Sequence, residues 1–236
     1  MKKAGEQIIV ALDVKDLNSA KSLVEQLAPH VGCFKIGLEL ITSVGGPQAV
    51  DFIHGLGGEV FYDGKFNDIP NTVVGASRAV AMLNVKMFNI HASAGVEAMT
   101  AAVANKGQSL VLAVSILTSL EENNAHLIFG APSKAKVLQL ARDAKIAGCD
   151  GIICSPRELE LIGNQKELYD LMKITPGVRP AWAAVGDQKR VMTPGEAIKA
   201  GATALVIGRP ITKPPSEIGT PLEAVKRIID EIAEAA

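Results

Sequence analysis

Aromatic side chains are scarce in this 236-residue sequence, which has one Trp, two Tyr and six Phe, together 4% of the chain. A core built around large rings is therefore excluded. The hydrophobic residues, 48% of the total, must supply the buried surface mainly as Ala, Val, Ile and Leu. Aliphatic residues packed between layers are typical of folds in which strands alternate with helices.

An excess of charge of either sign is also lacking. The chain has 24 Lys and Arg residues against 25 Asp and Glu residues, a formal net charge of −1. This balance indicates neither nucleic acid nor an anionic membrane as a partner, so any anion site must be local. Apolar runs such as residues 110–117 fall far short of the roughly 20 residues that span a bilayer. We therefore expect a soluble protein.

Cysteine is rare, and its spacing shows no metal-cluster motif. The three residues Cys33, Cys149 and Cys154 are odd in number, which argues against a full set of disulfides. Free thiols buried beside strands, in a reducing and therefore cytoplasmic compartment, are the simpler interpretation.

Eight short runs of β-branched and aliphatic residues recur along the chain, each followed by turn residues and then by helical periodicity. The predicted strands are residues 8–11, 33–36, 59–62, 87–90, 110–115, 151–154, 173–175 and 204–207. Two helix starts carry capping boxes, Ser155-Pro-Arg-Glu158 and Thr193-Pro-Gly-Glu196. Eight units without a linker between them predict an α/β fold, a single (β/α)8 TIM barrel over residues 1–236. An open doubly wound sheet is the alternative.

Polar residues occur at or just beyond the end of each predicted strand, where a barrel of this kind has its active site. In chain order they are Asp13, Lys35, Asp63 with Lys65 and Asp68, His91, Thr118, Ser155, Arg179, and Gly208 with Arg209. A single strand-end Asp is usually a helix cap or a turn former. A lone His at such a place is more often structural, so His91 stays outside the predicted catalytic set.

The third strand carries the most specific pattern. Asp63 and Lys65 are two residues apart, so in an extended chain both side chains point into the barrel mouth. Lys35 on the neighbouring strand extends this into a row of alternating charges. A structural salt-bridge network is one explanation. However, charges that lose hydration add little stability and are a common means of tuning reactivity.

The end of the eighth strand, Ile207-Gly-Arg-Pro210, predicts a phosphate site. Gly208 lets backbone N–H groups approach an anion, and Arg209 can bind it with two hydrogen bonds. The loops after strands seven and eight commonly hold phosphate in barrels. The seventh loop, about residues 176–192, contains Arg179 and Gln188, and its length is typical of a lid, although a surface linker is also compatible.

These motifs resemble those of the orotidine 5′-monophosphate (OMP) decarboxylase family. Asp63-Gly-Lys65-Phe-Asn-Asp68-Ile-Pro-Asn-Thr72 matches its Asp-x-Lys-x-x-Asp-Ile-Pro-Asn-Thr signature. Further blocks follow the family order over essentially the whole chain: Ala-Leu-Asp13, Phe-Lys35-Ile-Gly, His91-Ala-Ser, Leu-Thr118-Ser, Thr-Pro-Gly-Val-Arg179-Pro, Asp-Gln188-Lys-Arg and Ile-Gly208-Arg209-Pro. The chain departs from the common pattern at Gly64, which is often a larger apolar residue.

The resemblance implies an enzyme that converts OMP to UMP and CO2 in pyrimidine biosynthesis, without metal or cofactor. Lys65 would face C6 of the base and protonate it, together with Asp63, Asp68 and Lys35 as the other catalytic residues. Asp68 and Thr72 would reach the neighbouring subunit's site, which implies a homodimer.

The resemblance also implies a set of substrate-binding residues. Asp13 and Lys35 would hold the ribose hydroxyls, and Thr118 would contact the pyrimidine. Asp63 would lie against the carboxylate that is lost. Arg179 would act at the lid, and the phosphate would be held by Gln188, Gly208 and Arg209.

Two alternatives stay open. Mg²⁺-dependent sugar-phosphate decarboxylases and lyases of the same superfamily share Asp-x-Lys-x-x-Asp, but there a glutamate on the second strand helps to bind the metal. Lys35 stands in that place here and favours the metal-free branch. A catalytically silent nucleotide-binding protein is the other alternative, and the intact Lys65, Asp63 and Asp68 argue against it.

Overall fold

The computed structural model describes residues 4–183 and 192–235. In this part of the chain, eight parallel strands pair in sequence order and the first pairs with the last, which closes a barrel. The strands are β1 Ile8–Leu12, β2 Cys33–Ile36, β3 Val60–Phe66, β4 Met87–His91, β5 Leu110–Val114, β6 Gly151–Ile153, β7 Met172–Pro176 and β8 Ala204–Ile207. The predicted (β/α)8 barrel is confirmed, and the open sheet is wrong. That residues 1–236 form one domain stays a prediction.

Helices follow the strands and form the outer layer. In the described ranges the α-helices are α1 Leu17–Leu27, α2 Leu38–Val44, α3 Gly46–Gly55, α4 Pro70–Ala81, α5 Val96–Ala104, α6 Glu122–Phe129, α7 Ser133–Ile146, α8 Leu159–Gly163, α9 Pro194–Lys199, α10 Arg209–Thr212 and α11 Pro221–Ala235. None of these helices is long and apolar enough to cross a membrane.

Both predicted capping boxes are confirmed. The carboxylate of Glu158 accepts the Ser155 N–H at 2.7 Å, although the first turn there, Pro156–Glu158, is a 3-10 helix that leads into α8. The carboxylate of Glu196 accepts the Thr193 N–H at 2.8 Å at the start of α9. Each box satisfies backbone donors that the first helical turn leaves without partners.

The core has two layers, because parallel strands in a barrel are buried on both faces. Alternate strand residues fill the barrel interior, whose buried members are Ile9, Ala11, Cys33, Phe61, Met87, Leu112, Ile174, Ala204 and Val206. The larger cluster lies between the strands and the helices. Phe61 is the single aromatic residue of that interior cluster, in line with the aliphatic composition. The interior is therefore packed with apolar side chains.

Strand β3 differs from its prediction. It continues to Phe66 rather than ending at residue 62, so Asp63 and Lys65 lie within the strand. Its pairing with β4 is irregular, since Tyr62 pairs with Phe88 but Phe66 with Ile90. Four residues of β3 thus advance against two of β4, and we call residues 63–65 the β3 bulge. A bulge re-aims the side chains that it carries.

Candidate active site

Four charged side chains from three adjacent strands meet at the carboxyl end of the barrel. The Lys35 ammonium on β2 lies 3.3 Å from Asp13 Oδ1, just beyond β1, and 3.1 Å from Asp63 Oδ2 on β3. The Lys65 ammonium lies 2.7 Å from Asp63 Oδ1. The chain thus brings together Asp13, Lys35, Asp63 and Lys65 as an alternating row, which we call the charged row.

Asp63 is the centre of this row, and its side chain is only 9% exposed. Burial by itself would raise the pKa of its carboxyl group. The nearby ammonium groups of Lys35 and Lys65, and hydrogen bonds from Lys65 and Asn89, outweigh that effect and hold the pKa below its ordinary value. Asp63 is therefore a buried negative charge at the centre of the charged row.

The backbone conformation at Lys65 differs from the one that its spacing from Asp63 predicts. Its φ is +49°, in the left-handed region, so Lys65 itself departs from the extended conformation that the spacing argument assumes. The two side chains nevertheless meet, because the β3 bulge turns the lysine back towards Asp63. The Lys65 side chain is 30% exposed, which leaves its ammonium accessible from the barrel mouth.

Asn89 belongs to the site although the sequence reasoning missed it. It is fully buried on β4, its Nδ2 donates to Asp63 Oδ1 at 2.7 Å, and its Oδ1 accepts the Lys65 backbone N–H at 2.7 Å. One signal in the sequence could have identified it. Asn89 is an amide in the mainly apolar strand Met87–His91, two residues beyond Met87, so it faces the barrel interior as Met87 does. Sequence alone does not identify its partners, which are far away along the chain.

His91 lies at the end of β4, near the charged row. Burial and the charge of Lys65 lower its pKa, and the charge of Asp63 raises it less. A neutral imidazole is therefore favoured beside the ammonium of Lys65.

A cavity of about 190 Å³ lies beside the charged row. Lys35, Asp63 and Lys65 form its polar wall, and the remaining lining residues are Phe61, Val114, Ile116, Leu117, Thr118, Ile153, Cys154, Pro176 and Val206. Thr118 is exposed and lies in the segment between β5 and α6. A mainly apolar cavity with convergent polar groups on one side is typical of a small-molecule site.

Gly208 and Arg209 follow β8 on the same face of the barrel. A Cβ built on Gly208 would lie 3.5 Å from both Asp13 Oδ2 and the Cβ of Ala11, so this backbone borders the charged row. Arg209 is exposed and opens α10. The Arg179 N–H donates to Met192 O at 3.0 Å, and its Nε is buried without a hydrogen-bond partner among the described residues. Gln188 lies outside the described residues.

Asp68 and Thr72 are exposed and lie apart from the charged row. Within the described ranges, the carboxylate of Asp68 accepts the N–H of the next residue, Ile69, at 2.7 Å and forms no ion pair. Thr72 lies in the first turn of α4. Lys65 is therefore paired with one aspartate of the same chain, and the role of Asp68 stays a prediction.

The carboxylates of the charged row are paired with lysines. Among the described residues there is no group of three or more His, Cys, Asp or Glu side chains able to hold a metal ion. Asp13 and Asp63 both contact the Lys35 ammonium, at 3.3 and 3.1 Å. A cation is thus already present between these carboxylates as part of the protein.

A closed barrel with a partly buried lysine and aspartate network at the carboxyl ends of its strands defines an enzyme of the TIM-barrel class. The sequence model of the orotidine 5′-phosphate decarboxylase / HUMPS family matches residues 6–228. The chain belongs to this family. The predicted family and enzyme class, a carboxy-lyase, are confirmed.

Curated relatives and solved structures agree with this assignment. A protein named orotidine 5′-phosphate decarboxylase from Geotalea uraniireducens is 46% identical in an alignment of length 238 that covers 98% of this chain and 96% of the relative. One of the same name from Syntrophomonas wolfei is 43% identical over 98% of this chain and 100% of the relative. The crystal structure of orotidine 5′-phosphate decarboxylase from Lactobacillus acidophilus superposes with a TM-score of 0.80 at 32% identity, covering 95% of this chain and 98% of that one.

Proposed function

We propose that this chain decarboxylates OMP to UMP and CO2 directly, without a metal or cofactor, in the pyrimidine pathway. The observation that carries the proposal is the charged row, in which Lys65 is held by the buried Asp63 at 2.7 Å beside a cavity of small-molecule size. Whole-chain similarity to proteins named orotidine 5′-phosphate decarboxylase supports the choice of substrate.

The chemistry requires a fixed cation at one carbon. When the C6–carboxyl bond breaks, CO2 leaves and the electron pair stays on C6 in the plane of the ring, where no π-system delocalises it. The Lys65 ammonium stabilises this pair and then transfers a proton to C6, after which the amine takes a proton from solvent. Because Asp63 keeps its charge, it attracts the Lys65 ammonium at 2.7 Å and repels the carboxylate of the bound substrate.

A single charge does not account for the whole rate. One preorganised donor contributes roughly 3–4 kcal/mol, whereas enzymes lower barriers by up to about 23 kcal/mol. Binding energy from the distant phosphate supplies part of the difference when it holds the substrate carboxylate against Asp63. In this scheme Gly208, Arg209 and Gln188 bind the phosphate, with Arg179 beside them.

Lys35 supports the metal-free reaction over the Mg²⁺-dependent alternative. Its ammonium lies within 3.3 Å of Asp13 and Asp63, so a divalent cation would meet a like charge there. In the proposed complex Asp13 and Lys35 bind the ribose hydroxyls, and Thr118 at the cavity contacts the pyrimidine.

We also propose a cytoplasmic homodimer. Exposed Asp68 and Thr72 on the β3 side of the mouth are available to a second copy of the chain, where they would complete the neighbouring site. The three cysteines are buried and free, which fits a reducing compartment.

The decisive test is Lys65→Ala in a spectrophotometric OMP decarboxylation assay. We expect the variant to bind UMP but to release no CO2, because the proton donor is gone. Lys106→Ala is the matched control, since Lys106 forms a part-buried pair with Asp150 at the opposite end of the barrel and should be dispensable for turnover. Near-normal turnover by Lys65→Ala would contradict the proposal, and activity lost on EDTA treatment would favour the metal-dependent alternative.

The phosphate assignment has its own test. Arg209→Ala should reduce activity on OMP far more than activity on the phosphate-free nucleoside orotidine, because only the nucleotide presents the anion. Equal losses on both substrates would show that Arg209 does not act through the phosphate.

A further inference from the structure

The β3 bulge poses a problem that one side chain solves. Between Tyr62 and Phe66 the regular pairing with β4 is interrupted, so backbone groups in the bulge lose their ladder partners. A buried N–H without a hydrogen-bond partner destabilises the folded chain. The N–H of Lys65 instead donates to the side-chain Oδ1 of Asn89 at 2.7 Å.

The same amide also holds the carboxylate that receives Lys65. Asn89 Nδ2 donates to Asp63 Oδ1, the oxygen that also accepts from Lys65 Nζ, and both distances are 2.7 Å. Asp63 Oδ2 is left for Lys35 at 3.1 Å. Asn89 is fully buried, and its neighbour in the β4–β5 register, Leu112, belongs to the packed interior, so the amide has little room to rotate.

We propose that Asn89 is a positioning residue for Lys65 and Asp63. Its amide bridges the β3 bulge and thereby sets both the backbone from which the ammonium extends and the orientation of the carboxylate that receives it. A left-handed conformation is unfavourable for a lysine and persists only where the surroundings impose it. Asn89 is the side chain that imposes it here.

The inference rests on the proposed decarboxylase function, so its first test is kinetic. Asn89→Leu keeps a similar volume but removes both hydrogen bonds. We expect kcat for OMP to fall about 100-fold, as for a misplacement of about 1 Å, with a much smaller change in KM because the phosphate-binding residues are untouched. Asn105→Leu is the matched control. Like Asn89, Asn105 donates one hydrogen bond and accepts one, here to the Ala101 carbonyl and from Arg78 Nε, but it lies at the end of α5.

A second variant and a second measurement separate positioning from a merely structural role. Asn89→Asp keeps an acceptor for the Lys65 N–H but places a second carboxylate against Asp63. Among the described residues, the charged or titratable groups around Asp63 are Lys35 from β2, Lys65 from its own strand, His91 from β4 and, on the far side of the Lys35 ammonium, Asp13. We expect the pKa of Asp63, followed by ¹³C NMR of its carboxyl carbon, to rise in Asn89→Leu and to rise further in Asn89→Asp. The acidic limb of kcat/KM should move to higher pH in the same order.

The outcomes decide between the two proposals. If folded Asn89→Leu keeps the wild-type kcat and the Asp63 titration is unchanged in both variants, the positioning role is wrong. If Asn89→Leu does not fold, the Asp63 titration in Asn89→Asp decides alone. If the wild-type chain does not decarboxylate OMP, the proposed function fails. In that case, a raised Asp63 pKa in the variants would still support the positioning of the charged row by Asn89.

Discussion

Replacing Lys35 by Met tests whether the charged row is held together by charge. Met keeps an unbranched apolar stem of similar length but removes the ammonium that lies 3.3 Å from Asp13 and 3.1 Å from Asp63. The Lys35 side chain is 12% exposed, so its two interactions are only partly screened. The Asp63 carboxylate would then keep only its interactions with Lys65 and Asn89, and Asp13 would lose its ion pair in the charged row.

The size of the effect follows from the two distances. At an effective dielectric constant of about 20, unit charges 3.1 Å apart attract by about 5 kcal/mol before any desolvation cost. Breaking a fully buried pair destabilises a protein by about 3–5 kcal/mol. Asp63 retains two partners and Asp13 is mainly exposed, so we expect a smaller loss, about 2 kcal/mol in the free energy of unfolding at pH 7.

The pH dependence identifies the cause. The pKa of Asp63 is lowered in the folded state, so its contribution to stability is present above the ordinary value of 3.8 and is lost as the pH falls through the folded value. The difference in unfolding free energy between the wild type and Lys35→Met should therefore narrow progressively below pH 3.8. Urea denaturation at a series of pH values measures this difference.

Lys21→Met provides the matched control for this experiment. Lys21 forms a 3.7 Å pair with Glu25 on the exposed face of α1, where both side chains are about half exposed. Its loss should change the unfolding free energy by less than about 0.5 kcal/mol at any pH. If Lys35→Met is no less stable than Lys21→Met, or if its deficit is the same at pH 7 and pH 3, the electrostatic account of the charged row is refuted.

Two further predictions concern packing and the thiols. Gly64→Val should destabilise the fold, because a Cβ at this position would lie 2.7 Å from Cε1 of the Tyr62 ring. Adding Tyr62→Ala should recover part of the lost unfolding free energy, measured by urea denaturation. If the effects of the two substitutions are simply additive, this contact is not the cause. Burial raises the pKa of Cys33, Cys149 and Cys154 to about 12. A thiol reagent at pH 8 should therefore label these cysteines only after denaturation. Rapid labelling of the native protein would show that the thiols are accessible and contradict this prediction.

Local patterns account for most of what was predictable about the fold. Seven of the eight predicted strands agree with the structure to within one residue at each end, because strand-forming runs and capping boxes act over a few neighbouring residues. Strand β3 is the exception. Its extension to Phe66 and the left-handed Lys65 arise from irregular pairing with β4, which its own sequence does not encode.

The residues of the candidate site that lie at or just beyond the carboxyl ends of strands could be predicted from the sequence. Asp13, Lys35, Asp63 and Lys65 were predicted together because the carboxyl ends of parallel strands meet at one mouth of a barrel. Asn89 was missed because its acceptor on Asp63 lies 26 residues away along the chain. Asp68 was predicted to reach the neighbouring subunit's site, and within one chain it is exposed and apart from the charged row, so its role stays a prediction.

The sequence by itself determined the number and order of the βα units, the family and the residue types at the barrel mouth, since each depends on composition, periodicity or motif over short stretches. Only the tertiary structure decided that Lys35 lies between two carboxylates, that β3 bulges, and that a buried amide on β4 supports both Lys65 and Asp63. Those features depend on distances between strands, and such distances exist only once the barrel has closed.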